Sequence, residues 1–259
     1  IKWDQNSYLS EPGWPGVPEE TQREVRIRYM QNLYRLIETL RKEFPDVAFE
    51  SCASGGGRPD LGMLSRMDQM WISDNTDPLD RLYIQYGYLS MLPANTMVSW
   101  VTKAAKHQSF SLEYRFDVSM SGVLGVGDNI SKWGDEEKAI ARQKIAGYKI
   151  IRPTVQQGVL YKLISPFDEN RCALQYNAAD TSVVFCYNMA EYLSESQFNT
   201  RGSKVLKLKG LKNDRLYKVQ KLADSKAIGT YKGDVLMNIG IEWPVKGAFK
   251  SQIFLITEN

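Results

Sequence analysis

The stretch Glu50-Ser51-Cys52-Ala53-Ser54-Gly55-Gly56-Gly57-Arg58 joins the end of a short apolar run to a glycine-rich loop. The run from Val47 to Ala53 is typical of a buried strand, and the three glycines end it. Proteins of the α/β class place ligand sites at the carboxyl ends of their parallel strands, where polar and glycine-rich segments gather. This stretch therefore predicts an α/β fold with a site directly after this strand.

Upstream of that strand lies a long amphipathic pattern from Thr21 to Phe44. Its apolar residues recur mostly at three- and four-residue intervals, which is typical of a helix that buries one face. Thr21 followed by Glu24 is compatible with a capping box, and Pro45 lies just beyond the end. The sequence therefore predicts one long helix before the strand.

Downstream, further strand and helix patterns alternate as far as residue 151. The predicted strands are Met70 to Ser73, Met97 to Thr102 and Phe116 to Met120, and the predicted helices are Leu79 to Tyr88 and Glu136 to Ile151. Alternation of this kind predicts a parallel sheet, and an open doubly wound sheet or a closed barrel would both satisfy it.

The pattern changes after about Pro153. Short β-rich runs separated by turn residues follow: Val159 to Ser165, Arg171 to Tyr176, Ser182 to Tyr187, Lys204 to Lys209, Arg215 to Val219 and Lys250 to Ile256. Such a series predicts an antiparallel β-sandwich. We therefore predict two domains, an α/β domain over residues 1–156 and an antiparallel β domain over residues 157–259.

Composition narrows the possible functions. The chain has 259 residues and a net charge of only +3, with no apolar run long enough to span a bilayer, so nucleic acid and membrane partners receive little support. Three cysteines without CxxC spacing argue against a disulfide framework and a zinc site. His107 is the single histidine, which argues against multi-histidine metal sites and leaves carboxylates as the chemical groups.

Two carboxylates follow two different predicted strands. Asp4 lies in the run Lys2-Trp3-Asp4-Gln5-Asn6, and Asp74 lies in the run Ser73 to Asp77. Retaining glycoside hydrolysis uses such a pair, in which one carboxylate attacks the anomeric carbon and the other protonates the leaving oxygen. The competing interpretation is that Asp4 and Asp74 are helix N-caps or turn residues, because Asp is common at both kinds of position.

The glycine-rich loop admits two interpretations. Its backbone N–H groups and the Arg58 fork can approach a ligand closely, and a plain structural turn is equally compatible. A phosphate site is weakly supported, because the loop lacks both the Gly-Lys-Ser/Thr ending of a P-loop and the GxGxxG spacing.

Three linked motifs together resemble the glycoside hydrolase family 36 α-galactosidases in order and spacing. They are Lys2-Trp3-Asp4-x-Asn6, the run Glu50 to Arg58, and Trp71-x-Ser73-Asp74-Asn75-Thr76-Asp77 with Arg81 and Ile84-Gln85-Tyr86-Gly87. The resemblance implies a (β/α)8 TIM barrel, of which this chain holds strands four to eight, followed by the antiparallel β domain. It implies no cofactor and no metal.

The resemblance also implies the roles of individual residues. Asp4 falls on the nucleophile position and Asp74 on the general acid/base position. Lys2, Cys52 and the Gly55 backbone fall on positions that hold the galactosyl ring. Further matching positions give these candidate substrate-binding residues: Asn6, Gly56, Arg58, Trp71 and Arg81.

The implied function is hydrolysis of terminal α-linked galactose from oligosaccharides such as raffinose or melibiose, through a covalent galactosyl-enzyme. Galactosyl transfer and action on α-N-acetylgalactosamine share this mechanism and stay open. A non-catalytic carbohydrate-binding or assembly module is the alternative of a different class, and the presence of both Asp4 and Asp74 argues against it.

The sequence departs from the family pattern at three positions. Gln5 stands where relatives often have Met, and Met97 and Trp100 stand where many have His and a smaller or acidic residue. Trp100 is therefore a further candidate substrate contact, because its ring could stack on a sugar. Alternatively, its side chain fills the interior of the barrel. Both interpretations stay open.

The resemblance implies that barrel strands one to three are absent from this sequence. A partial barrel would expose a sheet edge and an apolar face, so we expect a missing N-terminal half or a homo-oligomer to complete it, and the isolated chain to be inactive. The first residues lack the pattern of a signal peptide, and we expect the native N-terminus to be missing. The compartment therefore cannot be read from this sequence.

Overall fold

A computed structural model describes residues 1–7, 10–103, 110–190 and 204–259 of the chain. His107 lies outside the described residues. The chain divides into two compact units, Ile1–Asp74 with Thr96–Val98, and Asn75–Asn95 with Ser99–Asn259.

The first unit contains the short parallel strands of the predicted α/β domain. They are β1 (Lys2–Trp3), β2 (Glu50–Ser51), β3 (Gln69–Trp71) and the start of β4 (Met97–Val101). The strands lie in the order β1-β2-β3-β4, and each adjacent pair is parallel. Their carboxyl ends therefore meet at one edge of the sheet.

Two helices connect these strands. The predicted long helix is confirmed as α1 (Glu24–Glu43), whose Leu33 and Ile37 are buried, and α2 (Leu61–Leu64) follows β2. The predicted capping box is wrong, because α1 has no side-chain cap and the Thr21 hydroxyl instead donates to Pro18 O (2.9 Å). A 3-10 turn precedes α1, so Thr21 lies too early in the chain to cap it.

The second unit continues the alternation of helix and strand. It contains α3 (Pro78–Tyr88), the end of β4, α4 (Leu112–Ser119), β5 (Val123–Val126), which neighbours β4, and α5 (Asp135–Gln157). Asp77 caps α3 by accepting the N–H groups of Leu79 (2.9 Å) and Asp80 (3.3 Å). The predicted helices over 79–88 and 136–151 are both confirmed.

The strand predicted from Phe116 to Met120 is wrong, because most of this segment belongs to α4. The side chains of Leu112, Tyr114 and Phe116 are all buried, so the helix shows no polar face that would reveal its period. An apolar run of this length looks the same in a buried strand and in a buried helix. In this part of the chain, the strand that the sequence did not reveal is β5.

One residue, Gly158, separates α5 from the first strand of the antiparallel domain. Its strands are β6 (Val159–Ile164), β7 (Arg171–Ala178), β8 (Thr181–Asn188), β9 (Val205–Leu206), β10 (Leu216–Lys221), β11 (Ala227–Lys232), β12 (Ile241–Glu242) and β13 (Ser251–Glu258). Six form one sheet in the order β11-β10-β13-β8-β7-β6, and β12 pairs with β9 in a smaller sheet.

The two sheets share one hydrophobic core. Val184 and Phe254 from the large sheet pack in one buried cluster with Leu206 and Trp243 from the region of the small sheet. The predicted antiparallel domain is confirmed, with layers of unequal size. A short helix, α6 (Gly233–Asn238), follows β11.

A buried carboxylate joins three elements of the second unit. Asp117 on α4 accepts from Lys144 Nζ on α5 (2.5 Å) and from the Ser251 hydroxyl at the start of β13 (2.7 Å). Burial raises the pKa of Asp117, and the charge and hydrogen bonds of these two partners offset only part of that effect.

The domain boundary predicted between residues 156 and 157 stays a prediction. Helix α5 extends one residue past it.

Candidate active site

The ends of β1 and β2 bring Asp4 beside Cys52. The ladder between these strands continues past their ends, with Cys52 N–H donating to Trp3 O (3.0 Å) and Gln5 N–H donating to Cys52 O (3.1 Å). Asp4 lies between these two hydrogen bonds. Its backbone is therefore held against the strand that leads into the glycine-rich loop.

The carboxylate of Asp4 is oriented by Asn6. Asn6 Nδ2 donates to Asp4 Oδ2 (3.0 Å), and Asn6 Oδ1 accepts from both the N–H (3.2 Å) and the hydroxyl (3.3 Å) of Ser54. The three residues thus form a chain from the loop to the carboxylate. Asn6, which was predicted to contact the substrate, therefore holds the carboxylate of Asp4.

The pKa of Asp4 lies below its ordinary value. The main cause is a hydrogen bond from the Cys52 side chain, followed by the hydrogen bond from Asn6, and the positive charge of Lys2 acts in the same direction. Each of these favours the ionised form of the carboxylate. The surroundings of Asp4 therefore suit a group that works as an anion.

Lys2 lies between a carboxylate and an aromatic ring. Its Nζ is 3.3 Å from Glu50 Oε1 and 4.4 Å from the centroid of the Trp71 ring. Glu50 is buried and also accepts from Gln69 Nε2 (2.8 Å). Sequence reasoning missed Glu50 as a site residue, because its contact with Lys2 follows from the β1–β2 register, which the motif alone does not reveal.

Asp74 follows β3 and is also exposed at this edge of the sheet. The indole N–H of Trp71 donates to its Oδ1 at 2.7 Å. Trp71 thus contacts Lys2 with its ring face and Asp74 with its ring nitrogen. The structure brings Lys2, Asp4, Trp71 and Asp74 together in the first unit.

The glycine-rich loop packs against the backbone that leads to Asp74. Gly55 has a φ of +81°, and a Cβ there would lie 2.9 Å from Asp74 N. A Cβ on Gly56 would lie 2.4 Å from Ile72 O. Real Cβ atoms do not approach backbone this closely, so both positions need glycine for packing as well as for any contact with a ligand.

Arg58, predicted to bind substrate, donates to protein acceptors. Its Nη2 donates to Trp3 O (2.7 Å), its Nη1 to Gln5 Oε1 (3.0 Å) and its Nε to Ser51 Oγ (3.2 Å). Gln5 Oε1 also accepts from the Tyr29 hydroxyl (3.2 Å). The guanidinium thus lies against both residues that flank Asp4.

The remaining two candidates lie in the second unit. The side chain of Arg81 is buried on α3. The Trp100 indole lies against β5, since a Cβ on Gly125 would be 2.4 Å from its Cδ1 and a Cβ on Gly127 would be 2.6 Å from its Cε3. This close contact favours the interpretation that Trp100 packs within the domain.

Metal ligation and membrane spanning were considered for the described residues. Among these residues, no group of three or more His, Cys, Asp or Glu side chains could hold a metal ion. No helix in the same ranges is both long enough and apolar enough to cross a bilayer.

Comparison with known proteins connects this geometry to a family. The profile of the family described as Melibiase matches residues 1–158, and that of the glycosyl hydrolase family 36 C-terminal domain matches residues 171–256. The chain is 39% identical over 254 residues to α-galactosidase AgaA of Geobacillus stearothermophilus, covering 96% of this chain and 33% of the relative. It is 37% identical over 250 residues to α-galactosidase 1 of Pediococcus pentosaceus, covering 95% of this chain and 33% of the relative.

A solved structure agrees with these matches. A variant of the Geobacillus stearothermophilus family 36 α-galactosidase AgaA in complex with raffinose superposes with a TM-score of 0.90 and 35% identity, covering 100% of this chain and 35% of the other. The chain thus spans about a third of the length of the relatives it matches. The parallel strands and the antiparallel domain correspond to the last part of the catalytic barrel and to the C-terminal domain. The chain therefore belongs to the Melibiase family of glycoside hydrolases, with the family 36 C-terminal domain after its barrel portion.

Proposed function

We propose that this chain carries the catalytic carboxylates of a retaining α-galactosidase, with Asp4 as nucleophile and Asp74 as general acid/base. The observation that carries the proposal is the set of donors around Asp4, which lowers its pKa at the sheet edge that also bears Asp74. The relatives named α-galactosidases, and the relative solved with raffinose, support the same reaction.

In the first step, ionised Asp4 attacks the anomeric carbon and forms a covalent galactosyl-enzyme. Cys52 and Asn6 keep the carboxylate charged and fix its orientation, which limits the cost of aligning it with the sugar. Asp74 donates its proton to the leaving oxygen as the glycosidic bond breaks. Because Oδ1 of Asp74 accepts from Trp71, the proton to be transferred resides on Oδ2.

In the second step, water enters where the leaving group departed. Asp74, now ionised, takes a proton from this water, and the resulting attack on the anomeric carbon releases Asp4. Two inversions at the same carbon give α-galactose. Lys2 and the Gly55 backbone are the proposed contacts of the bound ring, with Gly56 and Trp71 as further candidates.

The proposed substrates are oligosaccharides that end in α-linked galactose, such as raffinose and melibiose. The form of the Cys52 to Gly55 stretch, which the family places near the 2-position of the sugar, favours galactose over α-N-acetylgalactosamine. We further propose that residues outside this chain, from a longer polypeptide or a second copy, complete the substrate site. The relatives' threefold greater length supports this.

The test is release of 4-nitrophenol from its α-galactoside by the full-length protein. Asp4→Ala is expected to abolish turnover, and Asp74→Ala to lower it less, because 4-nitrophenolate leaves without protonation. Asp46→Ala, at an exposed position after α1, is the matched control and is expected to retain activity. Galactose binding without turnover by the intact protein would refute hydrolysis and support a binding module.

Product analysis distinguishes the related reactions. Proton NMR during raffinose cleavage is expected to show α-galactose as the first-formed anomer. A first-formed β anomer would refute the retaining mechanism, and oligosaccharide products in place of free galactose would indicate transfer.

A further inference from the structure

Arg58 contacts the residues on both sides of the proposed nucleophile. Nη2 donates to the carbonyl of Trp3, the residue before Asp4, and Nη1 donates to the side chain of Gln5, the residue after it. We propose that Arg58, through Gln5 and Trp3, is a positioning residue that fixes Asp4 for attack, and that it is not a sugar ligand. This inference rests on the proposed function of Asp4.

The backbone near Asp4 needs such support. Strand β1 ends at Trp3, so Asp4 lies just beyond the last residue of the strand. Trp3 O accepts from Cys52 N–H (3.0 Å) and from Arg58 Nη2 (2.7 Å), which uses both of its lone pairs. The guanidinium therefore adds a second hydrogen bond to the carbonyl directly before Asp4.

Arg58 also connects the two strand ends that carry the site. Its Nε donates to Ser51 Oγ (3.2 Å), and Ser51 is the residue before Cys52. Cys52 is in turn the main cause of the low pKa of Asp4. One planar fork thus contacts a neighbour of the nucleophile and a neighbour of its principal donor, and a planar fork holds its acceptors at fixed relative positions.

Gln5 supplies a side-chain acceptor to this arrangement. Its Oε1 accepts from both Arg58 Nη1 (3.0 Å) and the Tyr29 hydroxyl (3.2 Å), and its Nε2 donates to Ser7 O (3.2 Å). Methionine, which often stands here in the family, offers no comparable acceptor. Gln5→Met would leave Arg58 Nη1 and the Tyr29 hydroxyl without this partner.

The contacts of Arg58 account for its three nitrogen atoms. Each nitrogen donates to the protein, and the side chain is half-buried, with burial lowering the pKa of the guanidinium. These three hydrogen bonds set the orientation of the guanidinium plane against the strand ends. The geometry suits a group that acts on the sugar through Asp4.

The experiment compares Arg58→Lys, Gln5→Met and the double variant in the full-length protein. For each, kcat and KM on 4-nitrophenyl α-galactoside are measured, with the inhibition constant of free galactose and the rate at which a galactosyl fluoride inactivator labels Asp4. Lysine keeps the charge but cannot form the fork. Methionine has a length similar to that of glutamine, so Gln5→Met tests the network independently if Arg58→Lys does not fold.

Arg58→Lys is expected to lower kcat and the labelling rate about 100-fold, because a displacement of the order of 1 Å at the nucleophile has that effect. Gln5→Met is expected to lower both about tenfold, while the galactose inhibition constant stays within about threefold for both variants. The double variant should lose little beyond Arg58→Lys, since the bond between the two residues is already gone.

Three results would overturn the inference. A rise in the galactose inhibition constant with unchanged kcat would make Arg58 a sugar ligand. A lower unfolding temperature with unchanged kinetics would make it purely structural, and additive losses in the double variant would separate Gln5 from Arg58. Arg66→Lys is the matched control, since its guanidinium pairs with Glu38 on α1, and its kinetics should not change.

The failure of the proposed function is distinguishable from the failure of this inference. If the unsubstituted protein neither releases 4-nitrophenol nor becomes labelled at Asp4, the proposed function is refuted. If it does both and Arg58→Lys does so equally well, only the positioning role is refuted.

Discussion

The ring nitrogen of Trp71 donates a hydrogen bond to Oδ1 of Asp74 at 2.7 Å, while the face of the same ring lies 4.4 Å from Lys2 Nζ. One side chain therefore contacts both the proposed general acid and the lysine two residues before the proposed nucleophile. The hydrogen bond selects which oxygen of Asp74 is oriented by the protein. In the proposed mechanism, the other oxygen exchanges protons with the substrate.

Trp71→Phe tests this arrangement, because phenylalanine keeps an aromatic face for Lys2 but has no N–H. We expect kcat on raffinose to fall about tenfold, in line with the loss of one hydrogen bond to a carboxylate. The loss on 4-nitrophenyl α-galactoside should be smaller, because that leaving group needs little protonation. Trp133→Phe, which removes the indole bond to Asp128 (3.0 Å), is the control. Equal losses on both substrates would contradict a role in acid catalysis.

The donors around Asp4 predict a shift in pH dependence. Removing a donor to a carboxylate destabilises its charged form and raises its pKa, so less of the nucleophile is ionised at acidic pH. Cys52→Ala and Asn6→Ala should each move the acid limb of the kcat/KM profile to higher pH, with the larger shift for Cys52→Ala. Cys52→Ser retains a donor and should shift it less. An acid limb that does not move in any variant would mean that another group sets it.

Gly55 and Gly87 provide a matched pair of glycine-to-alanine substitutions. Gly55→Ala places a Cβ 2.9 Å from Asp74 N at a φ of +81°, and we expect it to destabilise the fold by about 2–4 kcal/mol and to lower kcat by displacing Asp74. Gly87→Ala on α3 meets nothing within 4 Å and should stabilise the protein by about 0.5 kcal/mol. Denaturant unfolding and kinetics on both variants measure this. A harmless Gly55→Ala would show that the loop can move away from β3.

The buried pair of Asp117 and Lys144 predicts a pH-dependent effect on stability. Lys144→Met leaves the Asp117 carboxylate buried without its cation, which should cost about 3 kcal/mol at pH 7. Burial already raises the pKa of Asp117, so the folded variant takes up a proton more readily than the unfolded chain does. The cost should therefore shrink as the pH falls toward 5.

The exposed pair of Lys103 and Glu137 (3.8 Å) provides the control for that measurement. Lys103→Met should change the free energy of unfolding by less than about 0.5 kcal/mol at either pH. Urea unfolding at pH 5 and pH 7 gives both quantities. A cost for Lys144→Met that does not depend on pH would show that Asp117 stays charged without its partner.

The sequence predicted the elements with a clear period. The apolar residues of helix α1 recur mostly at three- and four-residue intervals, and most strands of the antiparallel domain are short runs between turns, so local pattern was sufficient for them. Strands β11 and β12 were not predicted. Helix α4 failed because it is buried on nearly all sides, which removes the contrast between polar and apolar faces. Strand β5 is short and contains Gly125, which weakens any strand pattern.

The candidate site was predictable in part. The positions of Asp4 and Asp74 after strands follow from the alternation of elements, but Glu50 was missed, because its contact with Lys2 depends on the pairing of β1 with β2. The contacts of Arg58 likewise depend on residues about 50 positions away in the chain. A motif reveals which groups are present, whereas the tertiary structure decides which of them face each other.

The Asp117 cluster limits how this protein can evolve by recombination. A barrel end that acquired a β domain from an unrelated source would keep the carboxylate on α4 but lose the hydroxyl that β13 supplies. Recombination between relatives should therefore succeed when the crossover transfers both halves of this contact together. A crossover at the linker after α5 should succeed only where the incoming domain carries its own donor opposite Asp117.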